Sequence, residues 1–288
     1  MPSSDVLSAI QAGMSGFSKG QKLIAKYILD YYDKAAFMTA CVLGRTVGVS
    51  ESTVVRFALE IGFSGYPAMQ KALQEMILNR LTSVQRIEVA NDRIGDQDIV
   101  SMVLQADIDK IRATNDATDR AAFHGAVDAI LAAKNIYILG VRSSSALAGF
   151  LGFYFNYMFD NVHLVTTSAS GEMFEHIVRV APGDVVIGIS FPRYSTSTIK
   201  AISHCKSVGA TVIALTDSMH SPVGKCADYV LVAKSDMVSL VDSLVAPMSL
   251  INAVIVAIAA KREKEVSHIF TNLERLWDEY EVYEKVDV

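Results

Sequence analysis

Cysteine is scarce in this chain: 288 residues contain three, Cys41, Cys205 and Cys226, odd in number and without paired spacing. That pattern argues against a disulfide framework or a cysteine-based zinc site and fits a reducing, cytoplasmic setting. The opening MPSSDVLSAI lacks a basic segment followed by an apolar core, so no secretory leader is expected. An uninterrupted apolar run of the roughly 20 residues needed to cross a bilayer is also missing. The nearest approach, LVAPMSLINAVIVAIAAK, is broken by Pro247, Ser249 and Asn252, and reads as a core or interface helix with no membrane as partner. His124, His163, His204, His220 and His268 show no metal-ligand spacing, and no motif pairs a nucleophile with a base. Metal, cofactor and catalytic residues are therefore not expected.

What is present suits two soluble domains: 51% apolar and 20% charged residues. The net charge of −5 is divided unevenly. Residues 1–80 carry eight Lys/Arg against six Asp/Glu, and the remainder carries 18 against 25. An acidic bulk argues against nucleic acid wrapping the whole surface, but a small basic end can still dock on phosphates.

From Lys19 to Leu81 apolar residues recur at helical spacing, as in Leu23, Ile24, Tyr27 and Ile28. TSVQRIEVANDRIGDQD is polar and poorly periodic, and helical pattern resumes near Ile99. After Asn135 come five short β-branched runs separated by helix-length segments: NIYILG, NVHLVT, DVVIGIS, TVIALT and DYVLVA. Such alternation predicts a parallel sheet with helices on both faces, whose ligand sits beyond the carboxyl ends of the strands. The expected architecture is an all-α helix-turn-helix domain over residues 1–81, a linker over 82–106, and an α/β doubly wound domain with a five-stranded parallel sheet over 107–288.

Within the first domain, MTACVLGRTVGVSESTVVRFALEIGFSGYP parses as helix, tight turn and second helix. Gly44 is small where the helices approach, Gly48 suits the positive-φ turn position, Val49 faces inward and Ser50 is a natural N-cap. Val54 and Phe57 supply the apolar face. Glu51, Ser52, Thr53 and Arg56 are then expected to point outward at the end that enters a major groove in this motif. Arg56 can pair bidentately with guanine, while Ser50, the other hydroxyls and Arg45 suit phosphates or adaptable base contacts.

FSKGQKLIAKYIL, followed by AAFMTACVLGRTVGVSESTVVRFALEIGFSGYPAMQKAL, resembles the N-terminal domain of the RpiR family of bacterial regulators, most specifically in TVVRFALEIGFSGYP. That family follows it with a sugar-isomerase-type (SIS) domain, so the resemblance implies a five-stranded parallel sheet that binds phosphorylated sugars. Gly44 departs from the more usual alanine there. The family's first binding loop, roughly Gly-x-Gly-x-Ser, stands here as Gly140-Val141-Arg142-Ser143-Ser144, with Arg142 in place of a glycine. Its second, usually Ser-x-Ser-Gly-x-Thr, stands as Ser190-Phe191-Pro192-Arg193-Tyr194-Ser195, with Pro192 and Arg193 displacing the central Ser-Gly.

The candidate ligand contacts are thus Arg142, Ser143, Ser144, Ser145, Ser190, Arg193, Tyr194, Ser195 and Thr196. Short donors at helix N-termini suit a phosphate, and the arginines add charge-assisted donors for an acid or phosphate. A dinucleotide site is disfavoured: GVRSSS has no third glycine, and NVHLVTT ends without Asp or Glu. The expected function is a DNA-binding regulator, acting as a symmetric homodimer or homotetramer. Its operator affinity would respond to a sugar phosphate or sugar acid. The helix at 244–260 and the tail FTNLERLWDEYEVY are the expected subunit contacts. The alternative, an SIS-type isomerase, needs a base, for which Glu172, Glu175 and His176 are the best candidates. As a plain helix face, the trio would instead leave His176 half buried.

Overall fold

The computed structural model describes residues 6–78, Ile87, 98–235 and 241–284, in two compact units, Met1–Arg93 and Ile94–Val288. The first is helical throughout its described residues: α1 (Val6–Gly13), α2 (Lys19–Asp30), α3 (Tyr32–Ala35), α4 (Ala40–Val47), α5 (Glu51–Glu60) and α6 (Tyr66–Leu78). Ser18 starts α2 with a capping box. Its hydroxyl accepts the Gln21 N–H at 3.4 Å, and the Gln21 side chain accepts the Ser18 N–H at 2.9 Å. Ile24 and Ile28 of α2 meet Leu43, Val54, Phe57, Met69 and Leu73 in a core where each is fully buried. Each such side chain contributes about 1.5–3 kcal/mol on leaving water.

The short α1 lies outside the helical stretch that the sequence pattern marks. Just beyond it, Phe17 meets Phe57 edge to face, ring centroids 5.1 Å apart. From α6, Tyr66 and Gln70 both donate to the Met38 carbonyl, at 2.6 and 2.8 Å, and Gln74 donates to that of Ala36 at 2.8 Å. These bonds tie down the bend that leads into α4. Burial pushes the Tyr66 phenol up to about 12, so it remains a donor at any physiological pH.

The second unit contains a parallel sheet of order β2-β1-β3-β4-β5. Its strands are β1 (Ile136–Gly140), β2 (Val162–Val165), β3 (Val185–Ile189), β4 (Thr211–Thr216) and β5 (Tyr229–Val232). All five fall inside the runs marked by the sequence. On one face, Ile138, Ile187, Ile213 and Leu231 pack against α8 (Arg120–Ala132), α9 (Ser144–Met158) and α12 (Val245–Lys261). On the other, Leu139, Val186 and Val212 pack against α10 (Ser170–Ile177) and α11 (Thr196–Ser207). Strands buried on both faces have no polar side to alternate, hence their continuous apolar runs. The edge strand β2 differs, since His163 and Leu164 are exposed.

Helix α7 (Ile99–Ala117) precedes α8, and α13 (Glu263–Glu279) follows α12. Residues 99–106, placed in the linker on sequence grounds, are the first two turns of α7. Asp98 caps them, accepting the N–H groups of Val100 and Ser101 at 3.1 and 3.4 Å. Except for Ile87, the rest of that linker up to residue 97 lies outside the described residues. Helix α12 is not apolar on a buried surface all round: Leu250, Ile251, Val254 and Ile258 face the core, but Val256 is 66% exposed. Among the described residues, no single helix is long and apolar enough to cross a membrane.

Candidate functional site

In the first unit, α4 and α5 meet through a turn that Gly48 makes in the left-handed region, φ +75°. Gly44 is set by contact: a Cβ there would lie 2.9 Å from the Val49 carbonyl oxygen, and Val49 N–H already donates to the Gly44 carbonyl at 2.9 Å. Ser50 caps α5. Its hydroxyl accepts the Thr53 N–H at 3.3 Å and lies 2.8 and 2.9 Å from the hydroxyls of Thr53 and Ser52. With Val54 and Phe57 fixed in the core, Glu51, Ser52 and Arg56 are exposed, as are Ser50 and Arg45. Thr53 is half-buried rather than fully outward, because its methyl faces Gly20 of α2. Val49, expected to face inward, is likewise half-buried.

The Arg56 guanidinium lies along the helix, donating from Nε to the Ser52 carbonyl at 3.2 Å and from Nη2 to the Ser52 hydroxyl at 3.4 Å. Both bonds are exposed and weak enough to exchange for a base edge or a phosphate.

In the second unit, β1 and β3 are neighbours although β2 lies between them in sequence; Gly140 pairs with Ile189 at their carboxyl ends. The chain leaves these two strands in opposite directions along the sheet. Their loops therefore border the crevice of the topological switch point, where ligands of open α/β sheets bind. After β1, Arg142 takes φ +55° and Ser143, Ser144 and Ser145 begin α9; after β3, Arg193 takes φ +65° and Ser195 caps α11. Gly140 admits this close turn, since a Cβ on it would lie 2.7 Å from the Ser144 carbonyl oxygen.

The expected ligand residues occupy unequal positions here. Ser144 and Ser190 are 7% and 4% exposed, and neither hydroxyl makes a hydrogen bond among the described residues. Arg142, Ser143, Arg193 and Thr196 are exposed. The Ser145 hydroxyl donates to the Arg142 carbonyl at 2.5 Å, and that of Ser195 accepts the Thr198 N–H at 3.3 Å. Tyr194 donates at 2.7 Å to Asp217, whose same oxygen accepts the Thr216 hydroxyl at 3.1 Å. Asp217 and Thr216, at the end of β4, had no motif to mark them. The same holds for Thr198, whose Oγ1 is enclosed without a hydrogen-bond partner.

Glu172, Glu175 and His176 are all exposed on α10, and His176 is not half-buried as a plain helix face predicted. Glu172 accepts the Thr167 hydroxyl at 2.5 Å. A base and proton shuttle held in open solvent lack the enclosure that tunes such groups. No His, Cys, Asp and Glu cluster able to hold a metal occurs among the described residues.

A helical unit with this turn, joined to a 2-1-3-4-5 parallel sheet, defines a helix-turn-helix protein with an SIS-type domain. Residues 4–80 match the helix-turn-helix domain of the rpiR family, and 129–257 match the SIS domain. The chain belongs to the RpiR family of transcriptional regulators. A helix-turn-helix transcriptional regulator of Caldanaerobacter subterraneus subsp. tengcongensis is 27% identical over 283 residues, which cover 93% of this chain and 95% of the relative. The sugar isomerase domain of an RpiR transcription factor from Sphaerobacter thermophilus superposes with a TM-score of 0.59 at 29% identity, covering 62% of this chain and 99% of that one. The NanR protein of Vibrio vulnificus, solved with ManNAc-6P, shares the fold over 94% of this chain and 98% of its own, with a TM-score of 0.58 at 21% identity.

Proposed function

We propose that this protein is a cytoplasmic, symmetric oligomeric regulator whose α5 reads an operator and whose crevice between β1 and β3 holds a phosphorylated sugar or sugar acid that modulates operator binding. The observation that supports the sensing role is the convergence of short hydroxyls, Ser144, Ser190 and Ser195, at the ends of the adjacent strands β1 and β3. Two helix N-termini beside them supply further N–H donors. The solvent-facing Glu51, Ser52 and Arg56 support the reading role, and NanR's ManNAc-6P is consistent with a sugar-phosphate effector. Binding shifts the population between operator-competent and incompetent oligomers by the difference in its affinity for the two.

The chain acts in this reading as a regulator and not as an enzyme, for the exposed Glu172, Glu175 and His176 offer no enclosed acid–base pair. Operators are found by selecting bound fragments from genomic DNA with the purified protein. Arg56→Ala then weakens specific operator binding by about 1–3 kcal/mol per lost base contact with the fold unchanged. Unaltered operator affinity would remove α5 from the interface. Ser144→Ala with Ser195→Ala abolishes the thermal stabilisation given by the cognate ligand; an undiminished shift places the ligand elsewhere.

A further inference from the structure

Helix α7 is held to the second unit by polar side chains. Its two buried residues are Lys110 and Thr114. Thr114 Oγ1 accepts the Lys234 N–H at 2.9 Å, the Ser243 hydroxyl donates to Asp107 at 2.6 Å, and the Lys110 ammonium stands 3.8 Å from the same carboxylate. The side left to solvent is the apolar one: Val100, Leu104, Ile108 and Ile111 are 66, 58, 42 and 38% exposed. Spaced by four, four and three residues, they form a single stripe about 16 Å long. An amphipathic helix ordinarily turns such a stripe to a core, and a contiguous apolar patch in water marks a contact surface. Val241 and Val245, also exposed, stand on either side of Ser243 and continue the patch to the start of α12.

The order of residues along the stripe identifies the occupant. Laid antiparallel against a second copy, with the centre between Leu104 and Ile108, the stripe is complementary to itself. Leu104 meets Ile108 and Val100 meets Ile111, each contact occurring twice, as a two-fold interface requires. The charges agree with that pairing. Asp98 and Arg112 are exposed on one flank of the stripe, near its two ends, and the antiparallel arrangement sets Asp98 of each copy beside Arg112 of the other. A parallel arrangement would set like charges together. Within its own helix Arg112 reaches Asp109 at 3.5 Å, an exposed pair weak enough to exchange.

We propose that α7 is a subunit contact: its apolar stripe pairs antiparallel with the α7 of a second copy of this chain, closed at each end by an Asp98–Arg112 pair. The inference rests on the symmetric oligomer of the reading above and assigns one of its contacts.

Sedimentation velocity of the full chain tests it. Leu104→Glu and Ile108→Lys each set a charge against an apolar partner, twice per pair, and each is expected to halve the particle mass. Both positions are solvent-facing within one chain, so the circular dichroism of the variants stays that of the parent. An equimolar mixture of the two is expected to regain the parent mass. In the mixed pair the new carboxylate at position 104 faces the new ammonium at position 108 across one contact, while Leu104 still faces Ile108 across the other. A parent that sediments as a single chain overturns the oligomer reading and this inference together. An oligomeric parent whose mass either substitution leaves unchanged overturns the α7 pairing alone. Variants that dissociate but do not recombine on mixing also overturn it, and give the stripe to a different occupant.

Discussion

Gly48→Ala isolates the conformational cost of the turn that orients α5. Gly48 sits at φ +75°, and a Cβ added there meets nothing within 4 Å. Clash therefore contributes nothing, and as the residue after the last turn of α4 it has no helix propensity to gain. What remains is the left-handed conformation itself, about 1–2 kcal/mol against a residue with a Cβ. Alanine recovers about 0.4–1 kcal/mol by restricting the unfolded chain. The net loss is about 1 kcal/mol, or roughly 4–8 °C for a unit of this size. The only tryptophan, Trp277, belongs to α13 of the second unit, so its fluorescence reports that unit alone. Urea unfolding of the full chain followed by far-UV circular dichroism should show the helical transition of the first unit moved to lower denaturant. Gly48→Asn, which tolerates the left-handed region, should lose less. An alanine variant as stable as the parent, or an asparagine variant worse than alanine, would refute the account of the turn.

Two further outcomes are expected. Gly188→Ala places a Cβ 2.1 Å from the Ile202 Cδ1 of α11, an overpacking that costs about 1–3 kcal/mol in thermal or chemical unfolding. Ile202→Val, which shortens the offending arm, restores part of it, and a strictly additive double variant would show that the two do not meet. Asp228 accepts from Lys206 and, at 2.9 Å, from Val212 N–H; burial pushes its carboxyl up, but these partners outweigh burial and hold it below the ordinary carboxylate range. A lowered folded value means stability present at neutral pH and lost as pH falls below about 4 through the folded value. Asp228→Asn should therefore cost about 0.5–1 kcal/mol at pH 7, modest because the pair is part-exposed, and almost nothing near pH 2. A cost independent of pH would assign the effect to packing.

The sheet was legible in the sequence because the inner strands β1, β3 and β4, buried on both faces, must be apolar throughout, and the five runs have no competing helical period. The turn of the helix pair was legible because Gly48 and Ser50 are chemically specific to their positions. What escaped is of three kinds. Helix α1 is eight residues long, too short for periodicity to register, and its place depends on tertiary burial of Val6 and Ile10. At α7 the helical pattern near Ile99 was legible but the Asp98 cap was not, because one acidic residue ending a polar segment carries no motif. The links from Tyr194 to Asp217 and on to Thr216 join separate strand ends, and no local spacing encodes them. Around the crevice, the serines were visible as a cluster. Which of them lose water and which stay open depends on the elbow conformations that Arg142 and Arg193 adopt.

The order of the two architectures along the chain also governs how the molecule is made. Every packed helix of the first unit's described core lies within residues 6–78, so all of that core has been synthesised before the ribosome delivers Ile136, the first residue of the sheet. The crevice, by contrast, waits for β3 to reach past β2 and lie beside β1, a closure over some fifty residues of intervening chain. The helical unit is therefore free to fold first during synthesis, and the crevice forms last.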